Sequence, residues 1–68
     1  MREELYSRII QQIDLLPASA REALLLRFVE QLSVKEIAAV AGISCQAAQM
    51  RVVRALERLR DALGADSA

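Results

Sequence analysis

SVKEIAAVAGISCQAAQMRVVRALERLRDAL, from Ser33 to Leu63, decides the fold. Ser33 followed by Glu36 is the pattern of a capping box, in which each side chain satisfies an orphan backbone donor of the other residue. A helix therefore starts here, with a face of Ile37, Ala38, Val40 and Ala41. Its small residues let a neighbouring helix approach closely. Gly42 stands where a left-handed residue ends the helix, and Ile43 is placed to pin the turn to the core. Ser44 is a second N-cap, without an acidic partner at Ala47. The last helix is predicted from Cys45 to Leu63, nearly 30 Å at about 1.5 Å per residue, with Gly64 as its stop. At 100° per residue, Ala48, Val52, Ala55, Leu56, Leu59 and Leu63 fall on one side and face the other helices. Gln46, Met50, Val53, Arg54 and Glu57 fall on the opposite side, flanked by Ala47, Gln49 and Arg51. A short capped helix, a tight turn and a long second helix with spaced arginines form a helix-turn-helix, whose second helix is offered to the DNA major groove.

The stretch before Ser33 reads as scaffold. Leu5, Ile9, Ile13 and Leu16 make one helical stripe over Arg2 to Leu16, widened by Ile10. Pro17 ends that helix or opens the next. Ala18 to Val29 is predicted as one helix with Leu24, Leu25 and Phe28 facing inward, and Glu30 to Leu32 as the break. The expected fold is a small all-α domain of four helices, near 2–16, 18–30, 33–41 and 45–63, with no wing. Residues 1–68 form one domain: a leading helix at 1–17, a core at 18–64 and a frayed tail at 65–68.

Composition agrees. The 68 residues are 54% apolar, yet only Tyr6 and Phe28 are aromatic. A bulk of Leu, Ile, Val and Ala favours helix-on-helix packing over a sheet. A chain this short buries only roughly 60% of its extended surface, so stability is marginal. One Cys and no His exclude a Cys/His zinc site and a bridge within the chain, and a lone thiol suits the reducing cytoplasm. Cys45 is read as a small residue half buried in the turn rather than a redox centre, and Tyr6 as half-buried scaffold. No apolar run approaches a membrane span, and the start lacks the apolar core of a signal peptide. An enzyme is not expected: there is no His, no nucleophile beside a base and no Gly-rich phosphate loop. No cofactor or metal is implied.

Net charge is zero, which speaks against a non-specific nucleic-acid binder. The distribution is uneven. Ser44 to Leu63 carries Arg51, Arg54, Arg58 and Arg60 against Glu57 and Asp61, net +2, and is the one positive element. Arg54 can bind a phosphate or pair bidentately with guanine, and Gln46 or Gln49 with adenine. Ala47, Met50 and Val53 can touch thymine methyls but hold no phosphate. Arg58 and Arg60 are read as solvated.

LLPASAREALLLRFVEQLSVKEIAAVAGISCQAAQMRVVRALERLR, residues 15–60, resembles region 4 of bacterial sigma-70-type factors, most of all the extracytoplasmic-function (ECF) group. The resemblance rests on Leu-Pro before helix two, Arg-Glu-Ala-Leu-Leu-Leu-Arg, the Leu-Ser opening helix three, Glu-Ile-Ala, Gly-Ile-Ser and Arg-Ala-Leu-Glu-Arg-Leu-Arg. LuxR-type modules share the Glu-Ile-Ala and Ile-Ser turn, but the Leu-Pro-x-x-x-Arg-Glu opening favours the sigma form. The resemblance implies a domain that reads the minus-35 promoter element and docks on the β flap of RNA polymerase. It puts Ser44, Gln46, Ala47, Gln49, Met50, Arg51, Val53 and Arg54 on the DNA-contacting surface. Arg27, Ser33 and Lys35 take the places of supporting phosphate contacts.

The chain also departs from the family. Many members have Thr, Val, Lys or Arg, then Ser where this one has Ala47, Ala48, Gln49 and Met50. Val53 takes a place often held by an aromatic or His. About four cations (Arg27, Lys35, Arg51, Arg54) remain for phosphates, so DNA binding in isolation is expected to be weak and salt-sensitive. Met50 and Val53 form a small apolar patch, read either as ordinary scattered surface residues or as a face for an anti-sigma factor or a second copy joined through the last helix. A complete factor also needs a domain for the minus-10 element, and none is encoded in these residues. The residues are then either a fragment of a longer factor or a free-standing sigma-4-like protein; the second supports the alternative reading, a protein-interaction module with weak or no DNA binding.

Overall fold

In a computed structural model of the chain, residues 2–67 are described, with side chains at 3–64; Met1 and Ala68, the outer ends of the expected leading helix and tail, lie outside them. The elements are α1 (Arg2–Leu15), α2 (Ala18–Leu24), a π-helical turn (Leu25–Val29), α3 (Val34–Ala41) and α4 (Cys45–Ser67). No strand occurs among the described residues. The all-α architecture with α3–turn–α4 as its helix-turn-helix is the one the capping pattern predicts.

Both expected caps form. Ser33, at φ −71° and ψ 162°, accepts the Glu36 N–H on its Oγ, and Glu36 accepts the Ser33 N–H at 2.9 Å. At the other end of α3, Gly42 has φ 69°. Its N–H and that of Ile43 both donate to the Ala38 carbonyl, and Ile43 packs against the core beyond the turn. Ser44 then opens α4 by accepting the Ala47 N–H on its hydroxyl at 3.1 Å.

The core is small in every sense. Ala23, Ile37, Ala38, Ala48 and Val52 form its centre, with Leu26, Leu32, Val34 and Ile43 packed around them. Leu24 and Ala55 are also buried. Among the described residues, Ile37, 1% exposed, is the one large side chain fully enclosed. Alanines at the contacts let α2 and α3 close directly on α4, because interaxial distance follows the side chains between helices. α1 packs on α4 as well, but none of its described side chains is fully buried.

Four expectations are corrected. The second helix does not run as α-helix to Val29: its last turn widens, with Glu30 N–H donating to Leu25 O at 3.0 Å and Leu32 N–H to Leu26 O at 2.9 Å. Gln31 then turns the chain at φ 59°, a left-handed conformation that costs a non-glycine residue about 1–2 kcal/mol. Arg27 holds that turn, its Nη1 donating to the Leu32 carbonyl at 3.3 Å. The inward residues of this segment are Ala23, Leu24 and Leu26, whereas Leu25 and Phe28 are exposed. Tyr6 is likewise exposed, at 70%, rather than half buried.

The fourth correction concerns the C-terminus. Gly64 does not stop α4, and residues 65–67 are helical rather than frayed. The 64/65 boundary between core and tail is thus no structural boundary. A left-handed stop is rewarded when an apolar residue beyond it packs back, as Ile43 does after Gly42.

Substitutions at the two glycines should differ in sign. Gly42→Ala, at positive φ, should cost about 1–2 kcal/mol in urea unfolding, whereas Gly64→Ala, helical and unobstructed, should stabilise by about 0.5–1 kcal/mol. The capping hydrogen bonds from Ser33, backbone first and hydroxyl-linked second, lower the Glu36 pKa. A carboxylate with a depressed folded-state pKa contributes stability above its unfolded pKa and loses it as pH falls through the folded one. The melting-temperature difference between the wild type and Glu36→Gln should therefore shrink on acidification from neutral pH.

Candidate nucleic-acid interface

The outward face of α4 collects most of the candidate contact residues. Ser44, Gln46, Gln49, Met50, Arg51, Val53 and Arg54 are all exposed, and Ala47 is half buried. They sit on one rigid helix because its opposite face, Ala48, Val52 and Ala55, is fixed in the core. Met50 is 43% and Val53 39% exposed, so the apolar patch read from their spacing is present. Cys45 is exposed, not half buried in the turn: it precedes the first core position, Ala48, by nearly a full turn.

The supporting residues stand elsewhere, and two have structural work. Ser33 accepts the Glu36 N–H on its oxygen and its hydroxyl also stabilises the Glu36 carboxylate, so the side chain is committed to the cap. Arg27 is half buried, bonded to Leu32 O and 5.7 Å from the Phe28 ring centroid. Its guanidinium has five donors, and this bond takes one of them. Lys35 is exposed in the first turn of α3.

Two surfaces were not anticipated. The first is an open cleft of about 300 Å³ between the start of α2 and the side of α4, lined by Ser19, Arg51, Arg54 and Arg58 among others. Arg58 had looked merely solvated. Its relation to Arg51 and Arg54, at steps of three and four, was the available signal. Arg60, by contrast, meets its neighbour Asp61 at 3.8 Å with both side chains 77% exposed, a pair worth little.

The second surface is apolar. Ile9 and Ile13 of α1, Leu24, Leu25, Phe28 and Val29 of the second segment, and Leu56 and Leu59 of α4 line a groove of about 280 Å³. It continues along α1 past Tyr6 and Ile10. Ile9, Ile13, Leu24, Leu25, Phe28, Leu56 and Leu59 read as core by periodicity, but α1 leans on α4 and leaves the side toward the π turn open. A contiguous exposed apolar surface of this kind marks an interaction site more often than scattered apolar residues do. On α4 it occupies the flank opposite the arginines, since Leu56 and Arg58 are about 160° apart around the helix axis.

No helix of the structure is long and apolar enough to cross a membrane. Among the described residues, no group of His, Cys, Asp and Glu could hold a metal ion.

Comparison with known proteins agrees with the resemblance. Residues 6–59 match the family described as "Sigma-70, region 4". The ECF RNA polymerase sigma factor SigD of Mycobacterium tuberculosis is 42% identical over 55 residues, covering 81% of this chain and 26% of the relative. The SigD of Mycobacterium bovis matches to the same extent. The chain thus spans about a quarter of the length of the curated relatives it matches. No solved structure gives a significant match. The family is one of transcription initiation factors and not of enzymes. With its capping box, Gly-Ile-Ser turn and long second helix in place, and with the match running from the middle of α1 into α4, the chain belongs to the sigma-70 region 4 family.

Proposed function

We propose that this domain reads the minus-35 promoter element as part of an ECF-type sigma factor in the cytoplasm, and docks on the β flap of RNA polymerase. The observation that carries the reading is the exposed side of the first three turns of α4, where hydrogen-bonding and methyl-seeking side chains alternate. Arg54 reads guanine through a bidentate contact, and Gln46 and Gln49 read adenine. Ala47, Met50 and Val53 meet thymine methyls. Ser44 donates its hydroxyl proton to a phosphate, its oxygen being engaged by the Ala47 N–H. Because few cations face the duplex, affinity is low and falls steeply with salt. The polymerase then supplies the rest of the binding energy.

The apolar groove between α1, the π turn and α4 supports the docking half of the proposal. It lies on the other flank of α4, so DNA and polymerase can be held together. An apolar helix or loop of the partner fits there, as amphipathic segments do in grooves of this kind. The exposed Met50 and Val53 favour a second reading, in which an anti-sigma factor or a second copy covers this face of α4.

A pair of variants separates the two halves. Arg54→Ala should lose about 1–3 kcal/mol of promoter-DNA affinity at low salt, measured by fluorescence anisotropy. Val29→Glu, on the exposed wall of the groove, should leave DNA affinity unchanged while costing about 2 kcal/mol or more of affinity for the polymerase core enzyme. Unchanged DNA affinity in Arg54→Ala removes that residue from the reading face, and unchanged polymerase affinity in Val29→Glu removes the groove from the docking surface.

A further inference from the structure

Arg51, Arg54 and Arg58 succeed one another at steps of three and four, so they form one stripe along the side of α4. With the Ser19 hydroxyl, and with Pro17 and Ala55 as walls, they line the open cleft of about 300 Å³ between α2 and α4. No carboxylate lines it. The ion pair found among the described residues, Arg60–Asp61, lies elsewhere on the helix. Three guanidinium groups thus face one cleft without a counter-charge, in a chain whose net charge is zero.

We propose that this cleft seats a backbone phosphate of the duplex that α4 reads, with Arg58 and Ser19 extending the contact surface beyond Ser44–Arg54. The assignment rests on the DNA-reading function proposed above. A helix that enters the major groove by its N-terminus meets a channel about 12 Å wide and 8.5 Å deep. At about 1.5 Å per residue, it leaves that channel within two to three turns. Arg58 is roughly 20 Å along the axis from Cys45, past the base edges and level with the strand backbone. A guanidinium there has phosphate oxygens within reach and no base to read. Its planar donors suit bidentate phosphate binding, and the Ser19 hydroxyl adds a donor from the opposite wall. The contact carries no sequence information; it fixes how deep and in what register α4 sits. The phosphate also supplies the missing counter-charge.

The test is binding of two unrelated duplexes by the 68-residue chain, tracked by anisotropy from low to physiological salt. Arg58→Ala should reduce the log–log salt slope by about 0.9 and weaken binding equally for both duplexes. Ser19→Ala should weaken both equally with little change in slope. Arg60→Ala is the control for loss of any cation and should keep the wild-type slope. Arg58, Ser19 and Arg60 are all at least partly exposed, so the variants should keep the wild-type circular dichroism. A wild-type slope in Arg58→Ala, or equal losses in Arg58→Ala and Arg60→Ala, overturns the assignment while leaving the DNA reading intact if Arg54→Ala still weakens binding. Inorganic phosphate, at matched ionic strength, should compete only weakly; tight binding of free phosphate with no effect of Arg58→Ala on DNA would also overturn it. Failure of the unmodified chain to bind either duplex at low salt would overturn the function and this assignment together, before any variant is measured.

Discussion

Everything in this domain depends on how closely α2 and α3 approach α4. The contacts are made by Ala23, Ala38, Ala48 and Ala55, with Ile37 filling the space they leave. Alanine loses no side-chain entropy on burial and holds neighbouring backbones close together, so a very short chain can order three helices around one isoleucine. Leu25, Phe28, Val29 and Leu56 lie at the periphery, where they are exposed rather than enclosed.

The helix-turn-helix was legible because its signals are local and complete. Ser33 and Glu36 meet within one turn, and Gly42 is backed by Ile43 packing on the core. The core face of α4 was legible because a long regular helix keeps its period, so Ala48, Val52 and Ala55 fall where counting puts them. Counting failed in the second helix, where the π turn inserts a residue and Gln31 takes the left-handed position that would ordinarily advertise itself as glycine. It failed again at Gly64, which is carried within α4 rather than ending it. The exposure of Leu25 and Phe28 was not readable from their own segment, since it depends on which way α1 leans.

α4 consequently works with four sides. One is buried, one flank is cationic and the other flank is apolar, while the outward face between the flanks carries Gln46, Met50, Val53 and Glu57. The sequence had suggested a DNA face too poor in charge to bind well. The structure moves the positive charge to the flank, where Arg51, Arg54 and Arg58 gather. On the proposed function, base reading and phosphate anchoring meet at Arg54 on this one helix, and the anchoring depends on the cations that salt screens most readily. The apolar flank contributes a term that salt does not weaken, which suits a domain that binds DNA while held by a protein.

The central claim is that the outward face and cationic flank of α4 meet DNA while the apolar groove stays free for a protein. Amide chemical-shift mapping of the isotopically labelled chain during titration with promoter DNA tests this directly. The account predicts the largest shifts at Ser44, Gln46, Gln49, Met50, Arg54 and Arg58, with Leu25, Phe28 and Val29 unmoved. Shifts centred on Leu25, Phe28 and Val29, or none anywhere at low salt, would contradict it.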